Sequence, residues 1–223
     1  MNIINVAIDG PAGAGKSTIS RAAAKQMGYI YIDTGALYRT VGLNAMRKGA
    51  DVNDPKAVEA TLTDDLKVEL RFIDGEQRMF LCGEDVSDKI RTPEASSAAS
   101  KVSAVPAVRS YLFDLQKNLA KSNNCIMDGR DIGTVVLPDA KVKIFLTASP
   151  EARAKRRYIE LTEKGMDVNY DDVLADMIKR DYDDSHRAIA PLKQADDAVL
   201  ADTSDLTLQE SIDLIIKIIK DNI

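Results

Sequence analysis

Gly10-Pro11-Ala12-Gly13-Ala14-Gly15-Lys16-Ser17 is a complete G-x-x-x-x-G-K-[ST] pattern. A short apolar run, Ile3 to Asp9, precedes it, and the stretch from Thr18 to Met27 has helical character. Strand, glycine loop and helix in that order are the context in which the pattern cradles phosphates. The loop's backbone N–H groups would wrap phosphate oxygens, and the helix dipole adds positive potential at the same point. Lys16 would reach the outer phosphates, and Ser17 would offer its hydroxyl to Mg²⁺. A nucleoside triphosphate is therefore the expected ligand. The loop does not identify the acceptor, because GTPases, motor ATPases and small-molecule kinases share it.

Outward from the loop, short strands alternate with helices. Tyr29 to Ile32 reads as a second strand, with Gly28 as the left-handed stop of the first helix. Thr34 is placed to cap a helix that runs toward Lys48 and stops at Gly49. Cys125 to Met127, Val142 to Leu146 and Ala198 to Ala201 read as three further strands. Ser149-Pro150-Glu151 starts a helix that Gly165 ends, and a second helix begins near Asp171. Thr207 to Glu210 forms a capping box ahead of an isoleucine stripe, Ile212, Ile215, Ile216 and Ile219. Five strands in this alternation predict an α/β fold, a parallel sheet covered on both faces.

One region breaks the alternation. Val68, Leu70 and Phe72 alternate with charged residues, Asp74-Gly75 signals a turn, and Met79 and Leu81 resume the alternation. This predicts an antiparallel hairpin with one solvated face, inserted into the α/β frame. Thr92-Pro93 and Pro106 each open a helix after it. No internal repeat or long linker divides the 223 residues, so one domain with inserts is expected.

Composition narrows the class. A net charge of −5 argues against a nucleic-acid coat or an anionic membrane as main partner. Aromatics are 5% and Trp is absent, which disfavours a base-stacking platform for single strands. Cys82 and Cys125 match no metal spacing and read as reduced, buried thiols. Met1 to Ile8 carries no positive charge and is too short for a signal peptide or a membrane span, so a cytoplasmic location is expected. No Asn-Lys-x-Asp guanine reader is present, and the chain has no room for the added domains of transport or motor ATPases.

Charged residues recur at telling places. Arg153, Arg156 and Arg157 sit at i, i+3 and i+4 of one helix, where like charges repel unless an anion or partner relieves them. Arg180, Asp184 and Arg187 share one helix face. Spacing alone favours an intrahelical salt-bridge ladder there over a clamp for phosphate and sugar hydroxyls. Asp128-Gly129-Arg130-Asp131 directly follows a core strand, where open parallel sheets bind ligands. Asp33-Thr34-Gly35 holds the same position after the second strand, with Arg39 soon after. His186, the only histidine, reads as a solvated bystander.

Five ordered blocks resemble the bacterial cytidylate kinase family. They are the glycine loop, Asp33-Thr-Gly-Ala-Leu-Tyr-Arg39, Gly83-Glu-Asp-Val-Ser-Asp-Lys-Ile-Arg91, Asp128-Gly-Arg-Asp-Ile-Gly-Thr-Val-Val136 and Arg187-Ala-Ile-Ala-Pro-Leu192. The resemblance runs over nearly the whole chain, and all but the loop are specific to that family.

It implies a three-layer P-loop kinase fold, with a nucleoside-monophosphate subdomain over about 34–106 (its hairpin over about 62–92) and a helical lid over about 150–187. It implies that ATP is held by Gly10, Pro11, Ala12, Gly13, Ala14, Gly15, Lys16, Ser17 and Thr18, with Arg153, Arg156 and Arg157 from the lid. Thr34, Arg39, Ser100, Arg109, Asp128, Arg130, Asp131, Arg180, Asp184 and Arg187 would hold CMP or dCMP. Within that set Arg39, Arg130 and Arg187 would meet the phosphate, Ser100, Arg109 and Asp131 the cytosine edge, and Arg180 and Asp184 the sugar. Lys16, Arg130, Arg157 and Arg187 would stabilise the transferred group. Ser17 would ligate Mg²⁺, with Asp33 or Asp128 acting through water. The resemblance thus reverses the preference for a ladder on the second helix. A monomer is expected, with ATP and CMP or dCMP as its partners.

A phosphate acceptor suits this residue set. Its second pKa is about 6, so its oxygen is already anionic at neutral pH and needs no general base. Two rival readings remain at this point: a kinase for another small acceptor (UMP, AMP or shikimate), or a regulatory module that binds ATP without turnover.

Overall fold

The computed structural model describes residues 3–223. In chain order the elements are β1 (Asn5–Asp9), α1 (Lys16–Met27), β2 (Ile30–Asp33), α2 (Thr34–Arg47), α3 (Pro55–Glu59), β3 (Val68–Ile73), β4 (Glu76–Leu81) and β5 (Glu84–Asp85). Then follow α4 (Pro93–Val102), α5 (Pro106–Ser122), β6 (Cys125–Gly129), a π-helical turn (Ile132–Val136), β7 (Val142–Thr147), α6 (Pro150–Glu163), α7 (Tyr170–His186), β8 (Val199–Asp202) and α8 (Leu208–Asn222). The chain divides into two compact units, residues 1–31 with 123–223, and residues 32–122.

The larger sheet has five strands in the order β2-β6-β1-β7-β8. β1 lies at its centre and pairs in parallel with β6 (Asn5↔Cys125 to Asp9↔Gly129) and with β7 (Val6↔Val142 to Asp9↔Phe145). Parallel strands covered on both faces lose the polar alternation of a half-solvated strand. Val6, Ala7 and Ile8 are accordingly all fully buried. One face of the sheet packs Val6, Ile8, Ile126, Ile144 and Leu146 against Ile19 and Ala23 of α1 and the Ile212, Ile215, Ile216 and Ile219 stripe of α8. The Thr207–Glu210 capping box fixes the start of α8, with the Thr207 N–H donating to Glu210 Oε2 at 2.8 Å. The register brings Asp9, Asp128, Gly129 and Thr147 to one edge, at the carboxyl ends of the central strands.

The second unit holds the predicted hairpin. β3 and β4 pair antiparallel from Val68↔Leu81 to Ile73↔Glu76, leaving Asp74-Gly75 as a two-residue turn. Both turn residues have positive φ, 54° and 80°, which is the backbone that splices two right-twisted strands. The short β5 adds a third strand that the sequence pattern does not signal. Leu37, Val41, Val58, Met79, Leu81, Val102, Val108 and Leu112 form this unit's own core.

Two local expectations change. The cap of α2 is Asp33, whose side chain accepts the Ala36 N–H, and Thr34 is the first helical residue. Both residue types can cap, and β2 runs one residue further than its apolar pattern suggests. The short helix α3, which the sequence pattern does not signal, is capped by Asp54 with Pro55 in its first turn. Cys82 is exposed, at φ 49° in the turn that leaves β4, whereas Cys125 is buried as expected. Burial pushes the Cys125 thiol up to about 12. No helix among the described residues is long and apolar enough to cross a membrane.

Candidate active site

The glycine loop turns on two close approaches. Gly10 has φ 154°, and a Cβ there would lie 1.9 Å from the Leu146 carbonyl oxygen of β7. Only glycine lets the loop leave β1 in that direction. Gly15 adopts a left-handed conformation at the start of α1, and no side chain caps that helix. The N–H groups of its first turn therefore remain suited to an anion. Lys16 is buried and its Nζ donates to the carbonyl oxygens of Gly10 and Pro11, both at 2.7 Å. Burial, and next the Arg130 charge, hold its pKa well below the ordinary lysine value. Phosphate oxygens at this point would favour the charged form that burial disfavours.

Ser17 Oγ donates to Asp128 Oδ2 at 2.9 Å, and Tyr31 Oη donates to Asp128 Oδ1 at 3.0 Å. A hydroxyl and a carboxylate in contact are oxygen donors of the kind Mg²⁺ takes, alongside water and substrate phosphates. This pair therefore fits the ion. Asp33 is differently engaged: Oδ1 accepts the Ala36 N–H at 2.9 Å and Oδ2 accepts Arg39 Nη2 at 2.8 Å. Of the two carboxylates expected near the metal, Asp128 has the better-suited surroundings.

A second charge cluster lies in the same unit. Arg130 Nε donates to Asp184 Oδ2 at 2.8 Å, and Arg187 Nη2 lies 3.5 Å from Asp131 Oδ1. Asp128, Asp131 and Asp184 are all buried. Burial is the largest single influence on Asp184 and raises its pKa. The charge and hydrogen bond of Arg130, with the charges of Arg180 and Arg187, outweigh that influence and leave it below the ordinary carboxylate value. Asp184 thus bonds across the chain to Arg130, where helical spacing alone favours a ladder within α7.

Asp9 completes this edge. Its Oδ1 accepts the Ile132 N–H and its Oδ2 the Gly133 N–H, each at 2.7 Å. The residue that leads into the glycine loop therefore also holds the backbone just after Asp131. Burial raises the Asp9 pKa to about 6 against the lowering effect of those two bonds.

The three α6 arginines part company. Arg153 is buried and bonds to Ala148, Ala12 and Asp181. Arg156 Nη2 donates to the Thr203 carbonyl at 2.5 Å. Arg157 pairs with Glu160 at 2.8 Å on the surface.

The other expected acceptor residues lie in the second unit. Thr34 is buried in the first turn of α2. Arg39 pairs with Asp33, and its buried Nε has no hydrogen-bond partner among the described residues. Ser100 is half-buried on α4, and the Arg109 guanidinium of α5 lies 5.9 Å from the Tyr38 ring centroid. Sequence reading missed Gln77 on β4. Its Oε1 accepts the Asp33 N–H at 2.7 Å and its Nε2 donates to the Asp33 carbonyl at 3.3 Å, tying the hairpin to the start of α2. Nothing in its strand pattern marks it out. The lone His186 is exposed and stacks on Tyr182 with ring centroids 4.0 Å apart.

Comparisons with known proteins bear on this geometry. The chain is 49% identical to the cytidylate kinase of Caldicellulosiruptor bescii over 227 residues, covering all of both chains. It is also 49% identical to that of Lactobacillus johnsonii over 218 residues, covering 98% of this chain and 94% of the relative. Among solved structures, an uncharacterized protein from Eubacterium ventriosum aligns over 97% of this chain and 98% of its own, with TM-score 0.50 and 13% identity, a likeness of fold alone. The family model for cytidylate kinase matches residues 6–221. With the glycine loop on the central strand and the Asp128–Asp131 block at the end of its neighbour, the chain belongs to the cytidylate kinase family.

Proposed function

We propose that this protein transfers the γ-phosphoryl group of ATP to CMP or dCMP, giving ADP and CDP or dCDP. The observation that carries the reading is the buried Arg130–Asp184 and Arg187–Asp131 pairing, close enough to the glycine loop for Arg130 and Asp128 to set the field at Lys16. A module with one nucleotide ligand has no use for a second pair of arginines held in place by carboxylates. UMP, AMP and shikimate are disfavoured as acceptors by the family to which the chain belongs.

An oxygen of the acceptor phosphate attacks the γ-phosphorus, and the bond to the β–γ bridging oxygen breaks, its electron pair leaving with ADP. Mg²⁺, when bound, would neutralise charge on the donor phosphates, held by the Ser17 hydroxyl with Asp128 acting through water. Lys16 and the first-turn N–H groups of α1 hold the same phosphates. Arg130 and Arg187 are assigned to the acceptor phosphate, as is Arg39, whose buried Nε has no hydrogen-bond partner among the described residues. No side chain must remove a proton, so alignment and charge neutralisation supply the rate. Arg157, which pairs with Glu160 on the surface, is assigned to the donor phosphates.

Cytosine differs from uracil by an amino donor in place of a carbonyl acceptor. Asp131 is assigned to accept from that amino group, with Arg109 and Ser100 completing recognition of the base and Thr34, Arg180 and Asp184 the remaining acceptor contacts. Asp131→Asn is expected to cut the preference for CMP over UMP in kcat/KM by at least tenfold. An unchanged ratio in steady-state assays would remove this assignment.

A further inference from the structure

The family resemblance groups Arg153 with Arg156 and Arg157 as ligands of ATP, but its surroundings differ from theirs. Its side chain is 3% exposed, whereas that of Arg157 is 37% exposed. Arg153 Nε donates to the Ala148 carbonyl at 2.8 Å, and Nη1 donates to the Ala12 carbonyl at 2.8 Å and to Asp181 Oδ1 at 3.0 Å. Nη2 donates to Asp181 Oδ2 at 2.5 Å. Four of the five guanidinium N–H groups are thereby committed to the chain itself. The Asp181 contact has the two-pronged geometry that fixes orientation as well as distance.

A second contact joins the same parts. A Cβ on Gly13 would lie 2.9 Å from Met177 Cε and 3.4 Å from Arg153 Cβ. Ala12 and Gly13, consecutive residues of the phosphate loop, are therefore held from the side by α6 and α7. Met177 and Asp181 are one turn apart on α7, the next turn carries Asp184, bonded to Arg130, and Arg187, beside Asp131, leaves the helix end in an extended conformation. From Met177 to His186 the helix spans about 14 Å at 1.5 Å per residue, and Arg187 follows just past its end. α7 is thus a bar pinned at one end to the donor loop and at the other to the acceptor cluster.

We infer that Arg153 and Asp181 are positioning residues which tie the phosphate loop to α7 and so set the spacing between donor phosphates and acceptor. This rests on the proposed phosphoryl transfer to CMP. It gives Arg153 a different part from Arg156 and Arg157, because it acts through Ala12 and Asp181 without touching ATP.

The test uses the full-length protein with Arg153→Lys, Asp181→Asn and the double variant. Lysine keeps the charge and loses the fork, and asparagine keeps the shape and loses the charge. ADP release, CDP formation and ATP KM are measured for each, and a thermal melt confirms folding. The tie predicts a fall in kcat of about tenfold in each single variant with ATP KM within threefold of wild type. CDP formed per ADP released should also drop in both, as water replaces a misplaced acceptor. The double variant should be no worse than the poorer single one. A tenfold rise in ATP KM in Arg153→Lys with Asp181→Asn near wild type would overturn the inference, as would multiplying effects in the double variant. Should Arg153→Lys not fold, Asp181→Asn alone decides through its CDP-to-ADP ratio, and a wild-type ratio there defeats the tie. A wild type that forms no CDP from CMP is a failure of the functional reading, distinct from failure of the variants to change an active enzyme.

Discussion

α6 carries three arginines at helical spacing, whereas α7 carries Arg180 and Asp184 and ends at His186. Spacing alone puts Arg187 on that same face, but it lies just beyond the helix, and the fold treats the two sets in opposite ways. On α6 the set is dispersed: Arg153 goes inward to Asp181, Arg156 to the Thr203 carbonyl and Arg157 outward to Glu160. On α7 the set is gathered: Asp184 and Arg187 reach Arg130 and Asp131 on the loop after β6, and the charges of Arg180 and Arg187 both bear on Asp184. Helical spacing says which residues share a face. It does not say what the face meets, and the partner decides whether a charge is structural or available to a substrate.

The strongest way to break this contrast is at Asp184. Asp184→Asn leaves Arg130 without its carboxylate and should lower stability by about 2 kcal/mol, less than the roughly 3–5 kcal/mol of a fully buried pair because Arg130 retains some water. CMP KM should rise at least tenfold while ATP KM stays within threefold. A variant with wild-type melting and CMP KM would mean that the α7 cluster is decorative.

Asp9 sharpens the account of the loop that the cluster stands on. Its folded pKa of about 6 lies above the ordinary aspartate value of 3.8, so its favourable contribution is fully present below about pH 4 and is lost as pH rises through 6. Relative to Asp9→Asn, the wild type should lose up to about 3 kcal/mol of stability between pH 4 and pH 7. Denaturant unfolding of both proteins at the two pH values measures this. A constant difference would show that burial does not raise the carboxylate.

The smallest effect belongs to the outermost α6 arginine. Arg157→Ala removes only an exposed pair and should change stability by less than about 0.5 kcal/mol. Its ATP KM should nevertheless rise several-fold, because the side chain is assigned to the donor. Loss of stability without loss of ATP affinity would place Arg157 with Arg153 as a structural group.

Much of this was legible in the residues. The glycine loop, the five strands, the Asp74-Gly75 turn and the caps at Ser149 and Thr207 all follow from local chemistry, and the structure has each of them. The cap at Asp33, one residue early, was ambiguous because both neighbours cap well. The π-helical turn over Ile132–Val136 was not legible, since its two N–H groups are held by Asp9, more than a hundred residues away. The fate of Arg153 and the part of Gln77 were hidden for the same reason. Each depends on a partner brought close only by the fold, and neither breaks its local pattern.

The central claim is phosphoryl transfer from ATP to CMP, and the direct measurement is product analysis with CMP, dCMP, UMP, AMP and shikimate offered singly to the wild-type protein with Mg²⁺ and ATP. The account predicts CDP and dCDP, each formed with one ADP, and at least tenfold lower kcat/KM for every other acceptor. No turnover with CMP, or faster turnover with UMP, AMP or shikimate, would contradict it.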